Sequence, residues 1–460
     1  MNSVKSDSVP EQRAAPRASL ERGLGSWGAL SANLLNMVGV GPFLTIPLAL
    51  AAMGGPQAML GWVLGAALCL CDGLVWAELG AALPSSGGSY YYLREAYGRQ
   101  GLGRLMSFLF LWQTLLTGPF SIASGAVGFS EYMSYIVPGL SHPALVSIAV
   151  LVCLVNAWLL YRNIRSIDRL AVAITIVVMT TCLWIIISGA LHFHPGMAFH
   201  FPPGALHLSG HFWAGLGATT LIAVYDYGGY NNVCLLGGEV RQPRTNIPRA
   251  VIFSILLLAV VYLLMNVSII GSLDWRIAEN SHAVVADFMQ LLYGHWAGVL
   301  VSALVLVVSF GAVFANMLGY SRIPYAAAVE GSFFAPFARL HKTGRFPTVS
   351  LLFMGVASAI ASIFSLVELI KVLIVVQAIF QFAAQCIAVE LLRRRGLMGR
   401  DTYHMPFYPL PAVIALAGWI YIAVSSGWRY LGIGVAMVIA GSGIYFLNAR
   451  RERSWPFQVL

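Results

Sequence analysis

Asn36-Met37-Val38-Gly39-Val40-Gly41-Pro42-Phe43 is the stretch on which the fold turns. It sits inside an apolar run near 26–50 that is long enough to cross a bilayer as a helix. Pro42 removes a backbone N–H from that helix, and Gly39 and Gly41 let the chain leave the helical path. Far downstream, Tyr225-Asp226-Tyr227-Gly228-Gly229-Tyr230-Asn231-Asn232 interrupts a second apolar run with a glycine pair and several polar groups. One such break reads as a kink, since membrane helices tolerate glycine and proline. Two of them, in the first and sixth spans, fall at corresponding positions if spans 1–5 and 6–10 form inverted repeats. That arrangement points to a solute site at the membrane midplane of a secondary transporter.

The rest of the chain supplies the membrane context. Of 460 residues, 58% are hydrophobic and 10% charged, against roughly 25% charged in a soluble domain, and the mean hydropathy is +0.77. Twelve spans are predicted near 26–50, 57–83, 104–134, 143–161, 170–191, 212–237, 250–271, 296–320, 347–365, 367–391, 408–426 and 430–448. Prolines 84, 138, 143, 202, 203, 243, 248, 347 and 409 sit at or beside their ends, where a missing N–H costs little. Of the 27 basic residues, only Arg276, Lys371 and Arg429 fall in links on the side opposite the N-terminal tail. The positive-inside rule therefore places both termini in the cytoplasm. The net charge of +9 is then a topology signal, and no nucleic-acid partner is implied.

Other features carry less. The six cysteines (69, 71, 153, 182, 234 and 386) lie in apolar runs without metal-ligand spacing and read as reduced. Five histidines at 192, 194, 200, 207 and 211 crowd one outer link, but irregularly and without a carboxylate or cysteine, so no metal is expected there. Residues 1–22 lack an apolar core and read as a disordered tail, not a signal peptide.

The physics of the two breaks predicts their chemistry. Where a helix unwinds, N–H groups lose partners and the following half-helix presents the positive end of its dipole. Val38, Gly39, Val40 and Gly41 thus offer backbone donors to a carboxylate, with glycine allowing close approach. Carbonyls and side chains of Tyr225, Asp226, Tyr227, Gly228, Gly229 and Tyr230 are placed to accept from an ammonium.

Motifs along the chain carry a family resemblance. Trp76-Ala77-Glu78-Leu79-Gly80 running into Pro84-Ser85-Ser86-Gly87-Gly88-Ser89-Tyr90 resembles the signature of the amino acid–polyamine–organocation (APC) permeases. Gly228-Gly229-Tyr230-Asn231-Asn232, Gly238-Glu239-Val240-Arg241-Gln242-Pro243 and Asn246-Ile247-Pro248-Arg249-Ala250 are similar to span 6 and its exit in the L-type branch. Ser321-Arg322-Ile323-Pro324-Tyr325-Ala326, Phe346-Pro347-Thr348 and Met405-Pro406-Phe407-Tyr408-Pro409 extend the likeness toward the C-terminus. Polyamine-uptake permeases are similar around Leu236–Val240 and Leu160–Asn163.

The resemblance implies an all-α polytopic membrane protein of twelve transmembrane helices. It is expected to be a five-plus-five inverted repeat with broken helices 1 and 6, followed by two C-terminal helices. The domain plan is then a tail over 1–22, a permease domain over 23–448 and a second tail over 449–460. Its repeats run about 23–191 and 210–392, with helices 11–12 at about 408–448. The resemblance also implies alternating access without covalent chemistry or cofactor. Many relatives carry a hydroxyl between the two glycines of span 1, where this chain has Val40, and Pro42 removes an N–H. Both changes weaken the carboxylate cradle.

Carboxylates at membrane depth are costly and therefore informative. Asp226 reads as a counter-ion to a substrate ammonium or a proton carrier. Asp72 reads as a buried hydrogen-bonded acid with a lesser claim to proton coupling. Glu131 lies toward the outer end of span 3. Glu78 reads as an anchor of the inner helix end and a gate element. Gln377, Gln381 and Gln385 share one face of span 10, either lining the pathway or, as expected here, bonding to other helices, while Glu368 and Lys371 are expected to pair locally. Span 5 lacks the lysine that replaces sodium in some relatives, leaving exchange, uniport or proton coupling. The function expected is a permease for amino acids, antiporter or symporter, with a polyamine or cationic amino acid as the alternative cargo. A non-transporting membrane sensor would need a soluble domain, and an enzyme would need a catalytic cluster. The link at 134–142 has no cysteine, so no disulfide-linked partner is expected.

Overall fold

The structure is a computed structural model and describes residues 23–85, 87–162, 167–341, 346–399, 401–451 and 455–457. The tail over 1–22 lies outside the described residues, as do Ser86 and Asn163 of the motifs and Arg165, Lys342, Arg345, Arg400 and Arg453 of the basic links. Among the described residues the secondary structure is helical, with two isolated β-bridges and no strand.

Span 1 is two helices, Ser26–Met37 and Gly41–Met53, bent by 41° at the Val38–Val40 break. Spans 2 to 5 are Met59–Ala82, Leu102–Ile136, His142–Arg162 and Ile167–Leu191. Span 6 is helical only over Gly210–Tyr227, after which the chain unwinds and makes a single turn at Asn232–Leu235. Spans 7 and 8 are Pro243–Ile270 and His295–Tyr320, and span 9 is Thr348–Ala361. Span 10 is Leu366–Val376, a π-turn at Gln377–Phe382, then Ala383–Arg394. Leu410–Ser425 and Trp428–Arg451 complete the bundle as spans 11 and 12.

Among the described residues eight helices, or nine when the bent pair is taken as one span, are long and apolar enough to cross a membrane. Span 6 falls outside that group because its helical segment, which includes His211, Tyr225, Asp226 and Tyr227, is not apolar enough. Spans 9 and 11 fall outside it because their helices end at Ala361 and Ser425, short of the predicted edges. The chain is thus an all-α polytopic membrane protein. Span 10 is the most enclosed of the long apolar helices, with 78% of its apolar window buried, against 17% of the span 12 window.

Close packing rests on small residues, as it must where hydrocarbon surrounds the bundle and burial alone drives little association. A Cβ on Gly65 of span 2 would stand 2.8 Å from the Ala223 Cβ of span 6, so the two backbones meet. Gly128 of span 3 similarly receives Val40, which is why the middle residue of the span 1 break points at span 3.

The arginine-bearing face is closed by three ties. Glu78, fully buried, accepts from Arg393 Nε and Nη2 at 2.7 and 2.8 Å and from the Met405 N–H at 2.9 Å. The Arg393 guanidinium lies 3.9 Å from the Tyr408 ring centroid. Burial first, and then the Glu78 charge, hold the nearby Tyr403 hydroxyl above the ordinary phenol range. Arg322 meets Glu239 at 3.1 Å, joining the end of span 8 to the exit of span 6. Leu24 pairs with Val240 as a two-bond bridge, its N–H donating to Glu239 O (3.0 Å) and its carbonyl accepting from Arg241 N–H (2.8 Å). Beneath it, Gly87 N–H donates to Leu235 O at 3.0 Å. Gly87 (φ +98°) and Gly88 (φ +48°) take backbone conformations that other residues reach only with strain.

Two expectations change. Glu368 faces Arg429 at 3.9 Å and Lys371 lies over the Tyr430 ring, so the local Glu368–Lys371 pair gives way to contacts with span 12. The glutamine face of span 10 is split by the π-turn, which adds a residue to the turn and rotates the face. Gln377 reaches the interior cavity, whereas Gln381 accepts from Gln113 Nε2 at 2.8 Å.

Glu78→Ala removes three hydrogen bonds and strands a guanidinium that is mostly buried. The expected cost is about 3 kcal/mol, the low end for breaking a buried pair. It would be read as a lowered unfolding midpoint of the purified protein in detergent.

Candidate functional site

The two breaks are built to touch. Gly229 has φ +108°, and a Cβ there would lie 2.9 Å from the Asn36 carbonyl carbon. Only glycine lets the unwound strand of span 6 lie against the end of the first half of span 1. Asn33, fully buried, then supplies what the missing helix cannot. Its Nδ2 donates to Tyr230 O at 2.6 Å, and its Oδ1 accepts from Val233 N–H at 2.8 Å. Asn232 Nδ2 returns a bond to Ala32 O at 3.1 Å. The Tyr230 carbonyl and the Val233 amide would otherwise be unpaired backbone dipoles inside a membrane, a cost of several kcal/mol each.

Span 1 is served in the same way. Pro47 has no N–H for the Phe43 carbonyl four residues earlier, and Tyr132 of span 3 donates to that oxygen at 2.7 Å. Tyr262 of span 7 donates to Met37 O at 3.0 Å, at the lip of the break.

Between the breaks lies a cavity with about 770 Å³ of atom-free space, its open mouth included. Gly39, Val40 and Gly41 line it from span 1, and Tyr225, Asp226, Gly228, Gly229 and Tyr230 line it from span 6. The other two residues expected at the site are not on its wall. Val38 is fully buried, and Tyr227 stacks on Tyr262 at 5.5 Å between ring centroids.

Asp226 is 1% exposed and lies against the start of the second half of span 1. A Cβ on Gly41 would stand 2.5 Å from its Oδ1, and Thr45 Oγ1 lies 2.7 Å from its Oδ2. Oδ1 has no hydrogen-bond partner. Tyr225 reaches across to donate to Ser124 Oγ at 2.8 Å, tying span 6 to span 3.

Asp72 occupies a different place. Its Oδ2 accepts from Tyr230 Oη at 2.6 Å and its Oδ1 from Trp419 Nε1 at 3.0 Å. Both donors line the cavity, while Asp72 stands behind them on span 2. Trp419 also stacks on Phe382 at 4.1 Å. Glu131 is half-buried on span 3, and Glu78 lies in the closure described above. In the outer link His192 and His194 sit at 2.9 Å from backbone carbonyls, and no cluster of potential metal ligands occurs among the described residues.

Sequence reasoning left out the neutral polar wall: Asn36, Ser121, Ser124, Asn316 and Tyr320. Its signal was faint but present, since Ser121 and Ser124 share one face of span 3, and Ser121 donates to Asn316 Oδ1 at 3.1 Å. Asn33 also escaped notice, because a buried asparagine in an apolar run announces no partner until span 6 is placed beside it.

Gly229→Ala is expected to destabilise the protein by about 1–3 kcal/mol, from a strained φ and overlap with Asn36. Gly39→Ala, whose Cβ would meet only Ala312 Cβ at an ordinary 3.5 Å, should leave the unfolding midpoint within a degree or so of wild type. Thermal unfolding of the two variants side by side checks the contrast.

The geometry agrees with the chain's relatives. The family description "Amino acid permease" matches residues 24–445. The serine/threonine exchanger SteT of Bacillus subtilis is 25% identical over 456 residues, covering 95% of this chain and 98% of that protein. The human Asc-type amino acid transporter 1 is 27% identical over 458 residues, covering 95% and 84%. The human large neutral amino acids transporter small subunit 2 is 26% identical over 456 residues, covering 96% and 84%. With its broken first and sixth spans and a family match over nearly its whole length, this chain belongs to the amino acid permeases of the APC superfamily.

Proposed function

We propose that this protein moves amino acids across the membrane by alternating access, the cargo held between the breaks of spans 1 and 6. One observation carries the reading: residues 39–41 and 225–230, far apart in sequence, converge on a single interior cavity. The relatives' names, a serine/threonine exchanger and two amino acid transporters, agree with it. In this reading the chain performs no bond chemistry and needs no cofactor. The permease domain over 23–448 acts as one unit, both termini are cytoplasmic, and the bilayer is its setting. A disulfide-linked partner is not part of the proposal.

Each group then has a role. The start of the Gly41–Met53 helix offers its dipole and amides to the cargo's carboxylate. The unwound carbonyls after Tyr227 accept from its ammonium. Tyr225 and Tyr230 frame the space. Asp72 positions Tyr230 and Trp419, and since both its oxygens already accept, it is the weaker proton candidate. Glu78–Arg393, Glu239–Arg322 and the Leu24–Val240 bridge form the gate on the arginine-bearing face. That gate must part for cargo to pass.

A second reading has a specific observation in its favour. Asp226 Oδ1 is a buried acceptor without a donor on the cavity wall, and no lysine, arginine or histidine lines that wall. A cationic amino acid or a polyamine would use it as counter-ion.

Uptake of labelled leucine, arginine, glutamate and putrescine into proteoliposomes separates the readings. Leucine entry unaffected by Asp226→Asn supports a neutral amino acid carrier. Arginine or putrescine entry that falls at least about tenfold in Asp226→Asn, equivalent to 1.4 kcal/mol of lost binding, supports the counter-ion. Entry of none of the four, in folded protein, contradicts the transport reading.

A further inference from the structure

Among the described residues Asp226 is the only carboxyl on the cavity wall, and a carboxylate buried without a cationic partner is costly. Thr45 Oγ1 stands 2.9 Å from the Gly41 carbonyl and 2.7 Å from Asp226 Oδ2. A hydroxyl has one proton and can serve only one of those acceptors. The Thr45 hydroxyl fits both states of the acid: it donates to a charged Oδ2, or accepts from a protonated Oδ2 and donates onward to Gly41 O. Oδ1 has no hydrogen-bond partner in either case, although Trp62 Nε1, a buried donor also without a partner, faces the carboxyl from span 2. Asn36 Oδ1 is a second buried acceptor without a donor, and Asn36 lies on the same wall. None of the unpaired buried donors of the described residues belongs to a residue on that wall. The wall therefore offers acceptors, and an ammonium brings three donors.

The groups around Asp226 leave it without a fixed counter-charge. Gly41 and Thr45 face it from span 1 and Trp62 from span 2. Tyr225 and Tyr227 flank it on span 6, and Tyr262 of span 7 stands behind Tyr227. Glu131 of span 3 acts on Tyr225 from the other direction. No basic side chain lines the cavity.

We propose that a proton and the cargo's ammonium compete for Asp226, so that the protein exchanges an amine for a proton. On loading, the Oδ2–H bond breaks and the proton leaves to the aqueous side toward which the site is open. The carboxylate so formed accepts from the ammonium at Oδ1, and Asn36 Oδ1 takes a second N–H. On the far side the steps reverse: a proton returns to Oδ2 and the ammonium departs. One positive charge replaces another at the carboxyl, and no electrons move. Mutual exclusion at one carboxyl is sufficient for coupling. The proposal rests on the reading that cargo sits between the two breaks.

The test is uptake of labelled arginine by wild-type proteoliposomes, with leucine used instead if arginine is not carried. Acidifying the lumen should accelerate uptake. Acidifying the outside should raise KM, approaching about tenfold per pH unit, while the rate at saturating cargo stays constant. Asp226→Glu should keep this pH dependence. In Asp226→Asn uptake should fall and the remainder should be equal at every pH. Stimulation by external acid would mean symport and overturn the proposal, as would a KM independent of pH. Either result leaves the cargo site standing because transport persists. Failure of both amino acids to enter, with the protein monodisperse on gel filtration, overturns the cargo reading and this proposal together. The wild-type pH series decides even if the Asp226→Asn protein does not fold.

Discussion

A backbone that unwinds inside a membrane must find every lost hydrogen bond within the protein, because lipid offers none. That constraint organises this structure. Breaking span 1 at Val38–Val40 and span 6 after Tyr227 frees carbonyls and amides in the interior of the bundle. Asn33, Tyr132, Tyr262 and Asn232 are spent on those groups. Each comes from a different stretch of chain, so the breaks hold only when spans 1, 3, 6 and 7 are assembled. The site and the fold are therefore one cooperative unit.

What the supporting side chains leave uncovered defines the cavity. Its wall is mostly neutral polar groups and backbone, with one carboxyl and no cation. Such a wall binds by hydrogen-bond count more than by charge pairing, which makes the single acid decisive. Asp226 lies against the helix start that in the proposed scheme receives the cargo's carboxylate, so acid and cargo share the same dipole. Val40 points into span 3 and Pro42 brings no N–H, so the cradle has fewer donors than two glycines and a hydroxyl would supply.

Much of this was legible in the sequence. Both breaks, the order of the spans and the motifs of the links could be read from glycine, proline and apolar length, because each reflects a local backbone requirement. Eight of the ten residues expected at the site line the cavity for the same reason. Val38 and Tyr227 were grouped with them by adjacency, but a half-turn of unwound chain sends a neighbour the opposite way. Partnerships at long range were not legible. Asn33 with Tyr230, Asp72 with Trp419 and Glu78 with Arg393 depend on which helices pack together, and periodicity within one helix does not encode that. The π-turn at Gln377–Phe382 was hidden too, since one extra residue per turn leaves no mark in composition. It redirected a glutamine stripe that looked continuous at a spacing of four.

The central claim is that cargo occupies the space between the two breaks. The most direct measurement is an experimental density map of the protein bound to the amino acid it carries. The account predicts ligand density touching Gly39–Gly41 on one side and Tyr225–Tyr230 on the other, with its amine within hydrogen-bond reach of Asp226. Density at another depth, with the Asn36–Gly229 contact still closed and empty, would contradict it.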